Sequence, residues 1–501
     1  MRGRGWYDSR SGSIISCTLR TREATLVRLP IGEFWGSTGS MAKKTPKRGM
    51  SKVGRIARLG TLTSKVSGSY FGQRIRGNFQ GEESRKESVR RTHLANAERL
   101  ASTMGALKGA AMKLGQSIAV AADGLDLPPE ARRVLSRLQD KGDPIPFEEI
   151  KVQIEAELGA SLDELFDRFD SEPLGTASLA QAHAAWLPDG TPVVVKVLHQ
   201  GIESSVATDI RAMRTLFVTG RILRRDRSEV DRIFSEIQER ITEELDYYKE
   251  AANLEFFHRE LAHIEGLSVP RTYSDLCTER VLTMDRIVGA PLEKFLEQAS
   301  PEARQRAGTI LAKSFHEQLY RLRTLHADPH GGNYLFHTDG SVGLIDFGCV
   351  KRFDIWWLAR YARTALSIVD DDRARFLERA REMEILCVDD KPEAERVLWK
   401  FATIICGPLR VPWFRCGVDD DELPSQLKKI AKEVIQYPEL QTPPDLIYLH
   451  RSLGGIYAML RRLQHEFDYS DIFRAHARYV ISVAEGQVDD GAPVGWEARA
   501  S

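Results

Sequence analysis

The sequence predicts an α+β protein with two lobes and a helical segment ahead of them. Three observations carry this reading. A β-branched stretch punctuated by turns occupies 166–198, helical periodicity fills 84–122, 147–160 and nearly everything after 291, and one short segment, TMDRIVGAPLE at 283–293, joins the two styles. Taken in order, LANAERLASTMGALKGAAMKLGQSIAV sets alanines, leucines and charges at helical spacing. Pro128 and Pro129 interrupt it, ARRVLSRLQD (131–140) resumes a helix, and GDPIP (142–146) is a loop. FEEIKVQIEAELGA (147–160) is a further helix with Gly159 as its C-cap. From 166 the pattern is strand, turn, strand, turn, strand, with Pro188-Asp189-Gly190 as one turn and VVVKV as the third strand. Residues 203–224 and 229–262 read as helices, the second with Ile233, Ile237, Ile241 and Leu245 on one buried face. LSVPRTYSDL (267–276) and ERVLTMDRI (279–287) read as two more strands. A ligand cleft belongs at the junction of the two lobes.

Bulk properties narrow the function classes. The 71 basic and 71 acidic residues cancel, so no global field draws the chain to nucleic acid, and no nucleic-acid partner is expected. The six cysteines are scattered without a CxxC pair, which predicts neither a zinc ribbon nor a disulfide framework and fits a cytoplasmic setting. No apolar run reaches the length of a spanning helix. Residues 1–40 lack both steady periodicity and the apolar core of a secretory signal. They read as a non-native or disordered extension, with translation expected to start at Met41. A basic arm follows over 41–83, where Lys43, Lys44, Lys47, Arg48, Lys52, Arg55 and Arg58 carry no intervening acid. Such an arm is either a disordered, solvated tail or a segment that binds anionic lipid at a membrane surface or nucleic acid.

The chemistry concentrates in HADPHGGNYLF (326–336) and LIDFG (344–348). Asp346 sits at a strand end before a flexible glycine, a place suited to a hard, oxygen-seeking cation. Asp328 precedes Asn333 by five residues, and Asp346 follows thirteen later. Protein kinases use the same five-residue step in their catalytic loop, followed by DFG. In those roles Asp328 orients or deprotonates the nucleophile, while Asn333 and Asp346 hold Mg2+ against the phosphates of ATP. His326 and His330 stand at i, i+4, but Pro329, Gly331 and Gly332 argue against a helical zinc pair there. Lys196 in VVVKV is the expected phosphate lysine, and Glu244 its expected helical partner.

Six segments then occur in a fixed order: KLGQ (113–116), PLGTASLAQAH (173–183), VVVKV, EELDYYKEAANLEFF (243–257), HADPHGGN and LIDFG. Together they closely resemble the UbiB/AarF family of atypical protein-kinase-like proteins, from about residue 95 to about 350 and more loosely through PPDLIYLHRSLGGIYAMLRRL (443–463). The resemblance implies a bilobal protein-kinase-like fold with a helical N-terminal extension packed over the active site. The expected parts are that extension at 84–165, an N-lobe at 166–287, a C-lobe at 288–485 and a tail at 486–501. It implies that Lys113 and Gln116 line the cleft from above, that Lys113 pairs with Glu250, and that Lys196 pairs with Glu244. Gly175, Thr176, Ala177 and Ser178 would cover the nucleotide phosphates, and Met284 would line the ATP pocket. The implied activity is ATP hydrolysis or phosphoryl transfer to an acceptor in ubiquinone or another isoprenoid-lipid process. Partners would be isoprenoid lipid or lipid-biosynthesis enzymes, with a homodimer open.

Three departures stand out. Gly175 and Thr176 replace the alanines the family often carries there, Gly331 replaces its usual loop proline, and the C-terminal membrane helices of several relatives are missing. A small-molecule phosphotransferase of the choline or aminoglycoside kinase type, and a nucleotide-gated scaffold without turnover, are the alternative readings.

Overall fold

The computed structural model describes residues 82–107 and 144–492, interrupted at 178, 220–230, scattered positions from 232 to 244, 388–390 and 421, together with scattered positions between 57 and 72 and residue 494. The chain divides into units 1–49 and 50–501, and all described residues belong to the second. KLGQ, the helix expected at 131–140 and most of the basic arm lie outside the described residues.

Helix α1 (Glu82–Leu107) is followed by α2 (Phe147–Leu158), which ends on Gly159 at φ 74°. Only a residue without a Cβ adopts that left-handed conformation at no steric cost. The sheet comprises β1 (Arg168–Thr176), β2 (Ala180–Trp186), β3 (Pro192–Leu198) and β5 (Val281–Asp285), antiparallel in the order β1-β2-β3-β5. Side chains alternate across β3. Val193, Val195 and Val197 pack with Ile150 and Ile154 of α2, leaving Val194 and Lys196 on the other face. Helix α2, grouped with the extension on sequence grounds, is therefore the back layer of the sheet. Gln153 fastens it by donating to the Leu198 carbonyl at 2.7 Å.

After α3 (Ile202–Thr219) comes α4 (Tyr247–Glu260). The expected continuous helix over 229–262 is broken at Leu245 and Asp246, where Asp246 turns extended (φ −112°, ψ 92°) and caps the Lys249 amide. The strand expected over 267–276 also shrinks. Only β4 (Leu267–Ser268) forms, Pro270 removes a ladder donor, and 274–276 is a 3₁₀ turn. β4 pairs in parallel with β8 (Val342–Leu344) of the second lobe.

The second lobe carries α5 (Leu292–Gln298), α6 (Pro301–His316), the short strands β6 (Thr324–His326), β7 (Tyr334–Phe336), β8 and β9 (Val350–Arg352), then α7 (Ile355–Val369), α8 (Arg373–Glu382), α9 (Pro392–Ile405), α10 (Leu423–Val434), α11 (Pro444–Leu463) and α12 (Tyr469–Ala484). β6 pairs with β9 and β7 with β8, so the loop 327–333 hangs between two small sheets. Ile310, Leu311 and Phe315 of α6 share a core with Leu449, Ile456 and Met459 of α11 and Ile472 and Phe473 of α12. The lobe junction is tight: Ala290 bridges Phe336, and a Cβ on Gly289 would stand 2.9 Å from the Leu335 side chain.

Helix α11 runs against the 327–333 loop. A Cβ on Gly455 would lie 2.2 Å from the Pro329 carbonyl oxygen, whereas Gly454 next to it faces open space. Gly455→Ala is therefore expected to lose about 1–3 kcal/mol of stability by overpacking. Gly454→Ala should be neutral or gain up to about 1 kcal/mol from helix propensity. Thermal and denaturant melts of the pair check this.

Candidate active site

Lys196 lies on an interior strand, opposite Ala182 on β2 and Leu282 on β5, and Gly175 on β1 continues the same row. An ammonium in such a place is unfavourable unless paired. Its Nζ donates to Glu250 Oε1 at 2.5 Å and to Asp346 Oδ2 at 3.1 Å, and stands 5.7 Å from the Tyr247 ring centroid. The Lys196 and Glu250 side chains are 15% and 5% exposed, and Asp346 39%. Burial disfavours the lysine charge, yet Asp346 and Glu250 outweigh it and hold Lys196 well above its ordinary range. Burial would raise Asp346, but Lys196 and the Gly348 amide hold it below the usual carboxylate range. Burial pushes Glu250 up to about 6, with Lys196 opposing and Asp346 adding to the rise.

Lys196 pairs with Glu250, which the family resemblance assigned to Lys113, and Glu250 lies in the first turn of a helix that opens after the break at 245–246. Glu244, Lys113, Gln116 and Ser178 lie outside the described residues.

Below Lys196, the backbone and side chains of the two motifs interlock. His326 Nε2 donates to the Asp346 carbonyl at 2.8 Å, its backbone amide donates to Gln318 Oε1 at 3.0 Å, and burial lowers its pKa. Its ring meets Phe347 edge-on at 5.5 Å, and Phe347 stacks on Phe257 of α4 at 4.6 Å. Asn253, one turn beyond Glu250, donates to the Phe347 carbonyl at 3.1 Å. Asn333 Nδ2 donates to the Asp328 carbonyl at 2.9 Å, and its own carbonyl accepts from Ile345 at 3.0 Å. Asp328 Oδ1 accepts from Arg451 of α11, while Oδ2 faces His330 Nε2 at 3.6 Å. His330 Nδ1 accepts from the Gly332 amide, so both histidines serve the loop.

Lys196, Glu250 and Asp346 thus meet directly, and two hydrogen bonds tie Asp328 and Asn333 to the same strand end. With Nδ2 engaged, Asn333 keeps its amide oxygen as an acceptor, and that oxygen and the Asp346 carboxylate are donor types that suit a hard divalent cation completed by phosphate oxygens. Gly175 and Thr176 are the last paired residues of β1, and Ala177 opens the turn to β2, closed by its amide on the Ala180 carbonyl at 2.8 Å. A Cβ at Gly175 would meet nothing within 4 Å. Met284 is buried on β5 opposite Val194. Sequence reasoning missed Asn253, Gln318 and Arg451. Asn253 was legible, because 250, 253, 254 and 257 share one buried helix face. Gln318 and Arg451 reach the site only through tertiary packing.

An antiparallel sheet over a helical lobe, with this lysine and these motifs at the junction, defines a kinase-like protein. The ABC1 atypical kinase-like domain matches residues 137–380. "Probable protein kinase UbiB" of Pseudomonas aeruginosa is 36% identical over 76% of this chain and 70% of its own length. The rat "Atypical kinase COQ8B, mitochondrial" is 27% identical over 92% of the chain and 87% of its own. For the Caenorhabditis elegans "Atypical kinase coq-8, mitochondrial" the match is 25% identical and spans 61% of that protein. The solved structure of Rv3197 from Mycobacterium tuberculosis in complex with erythromycin is similar at a TM-score of 0.55 and 25% identity, over 77% of this chain and 97% of that one. The chain belongs to the UbiB/COQ8 family of atypical kinases. No described helix is long and apolar enough to cross a membrane.

Because burial raises Glu250 from 4.5 to about 6, its contribution to stability is full below pH 4.5 and lost as pH rises through 6. The stability of wild type minus Glu250→Gln should therefore fall by about 2 kcal/mol across that window. Parallel melts between pH 4 and about 7 measure it against a linkage expectation of no change elsewhere.

Proposed function

We propose that the chain binds Mg-ATP between its lobes and either hydrolyses it or transfers its γ-phosphoryl group, in support of ubiquinone or isoprenoid-lipid metabolism. The observation that carries this reading is the contact of Lys196 with both Glu250 and Asp346, beside the Asp328–Asn333 loop. Lys196 contacts the α/β-phosphates, and Glu250 orients it. Asn333 and Asp346 are the residues that hold Mg2+, which supplies charge neutralisation on the phosphate oxygens. Asp328 orients or deprotonates the attacking hydroxyl or water. The tip formed by Gly175, Thr176 and Ala177 closes over the phosphates, and glycine there permits close backbone approach. The names of the UbiB and COQ8 relatives support the kinase class; the lipid pathway rests on the family resemblance. The intact set of Lys196, Asp328, Asn333 and Asp346 favours turnover over a nucleotide-gated scaffold.

Purified protein should release phosphate from ATP in a Mg2+-dependent manner. Asp346→Asn should lower kcat ~100-fold or more, since a bound metal supplies several kcal/mol of transition-state stabilisation. ATP binding without Mg2+-dependent turnover, with anionic liposomes present or absent, would instead establish a scaffold.

A further inference from the structure

We propose that Arg451, on helix α11 of the second lobe, is a positioning residue for Asp328, so that a segment far outside the two motif stretches sets the geometry of the reacting end of the cleft. The inference rests on the Mg-ATP reading above and adds a residue to it. Arg451 Nη2 donates to Asp328 Oδ1, and among the described residues no other protein acceptor takes an Arg451 guanidinium N–H. The two side chains are 33% and 35% exposed, so the pair lines an accessible cleft and is not sealed in the core.

The helix is held at the loop by contacts that do not involve Arg451. Gly455 stands one turn further on the same face, where its bare Cα lets the Pro329 backbone approach. At the other end, Asp445 pairs with Lys351 at 2.6 Å, and Lys351 lies 5.3 Å from the Tyr448 ring centroid. Lys351 belongs to β9, which pairs with β6 and so with His326. The guanidinium is therefore delivered by a helix fixed on both sides of the loop.

The consequence is chemical. One oxygen of Asp328 is committed to a guanidinium, the other faces the His330 N–H, and the backbone carbonyl accepts from Asn333. The carboxylate is fixed in one orientation before any acceptor arrives, which is what an orienting group needs. A planar fork does this and a lysine ammonium does it less well.

The test is ATP turnover by wild type, Arg451→Ala and Arg451→Lys. The expected result for Arg451→Ala is a roughly 10- to 100-fold fall in kcat with KM for ATP nearly unchanged. Arg451→Lys should be intermediate, and millimolar guanidinium should restore part of the Arg451→Ala rate. An unchanged kcat, or a loss shared with KM and indifferent to guanidinium, overturns the assignment. Melts of Arg451→Ala, Asp328→Ala and the double variant separate this from the fate of the Mg-ATP reading. If wild type turns over no ATP, that reading fails. Non-additive Tm losses would then still uphold the Arg451–Asp328 coupling, and additive losses would overturn it.

Discussion

One lysine shared by two carboxylates is the constraint on which this structure turns. The Lys196 ammonium is mostly covered, and its partners come from opposite directions: Glu250 from helix α4 and Asp346 from the end of β8. Removing one partner from a buried pair costs far more than the intact pair contributes, because it strands a charge. The contact therefore acts chiefly by fixing how the two lobes meet. It also leaves an excess of one negative charge, two carboxylates against one ammonium, concentrated where Asp346 is still 39% open. On the Mg-ATP reading proposed above, a divalent cation brought in by the nucleotide would meet a site whose charge is already arranged for it.

Helix α4 converts that contact into a longer fixture. Along one face it offers Glu250 to the lysine, Asn253 to the Phe347 carbonyl and Phe257 to the Phe347 ring. His326 closes the circuit from beneath, bonding to the Asp346 carbonyl and meeting Phe347 edge-on. The aspartate is thus held through its neighbours' backbone and aromatic ring as well as its own carboxylate. The break at Asp246 makes this possible, since it lets α4 set its face independently of the helical segment before it.

Much of this was legible in the residue pattern, and the misses share a cause. The three strands over 166–198, the helix capped by Gly159 and the loop residues Asp328, Asn333 and Asp346 follow from local rules of turn chemistry, periodicity and spacing. What failed was anything that required knowing where a helix restarts. Four-residue spacing continues through Ile241 and Leu245, so periodicity alone carries a helix straight past Asp246, where the chain turns extended and α4 begins anew. Helix α2 was grouped with the extension because it precedes the first strand, yet its Ile150 and Ile154 complete the back of the sheet. Sequence neighbours do not say which layer an amphipathic helix covers. Arg451 was invisible for the same reason, standing 123 positions from Asp328 on a helix whose apolar face alone announces it.

The loop itself shows how a missing local stiffener is replaced. Gly331 stands where the family resemblance leads one to expect proline, and its Cβ position has ordinary room, 3.9 Å from Leu292. Proline would stiffen this turn mainly by restricting the unfolded chain. Here the folded loop is restrained from several sides: His330 accepts from the Gly332 amide, Asn333 donates to the Asp328 carbonyl, Ile345 donates to Asn333, and Arg451 holds the Asp328 carboxylate. These bonds act on the native state alone, and the last depends on α11 being seated at Pro329. The guanidinium contact holds only while α11 is in place, so the orientation of the Asp328 carboxylate is coupled to the packing of the second lobe.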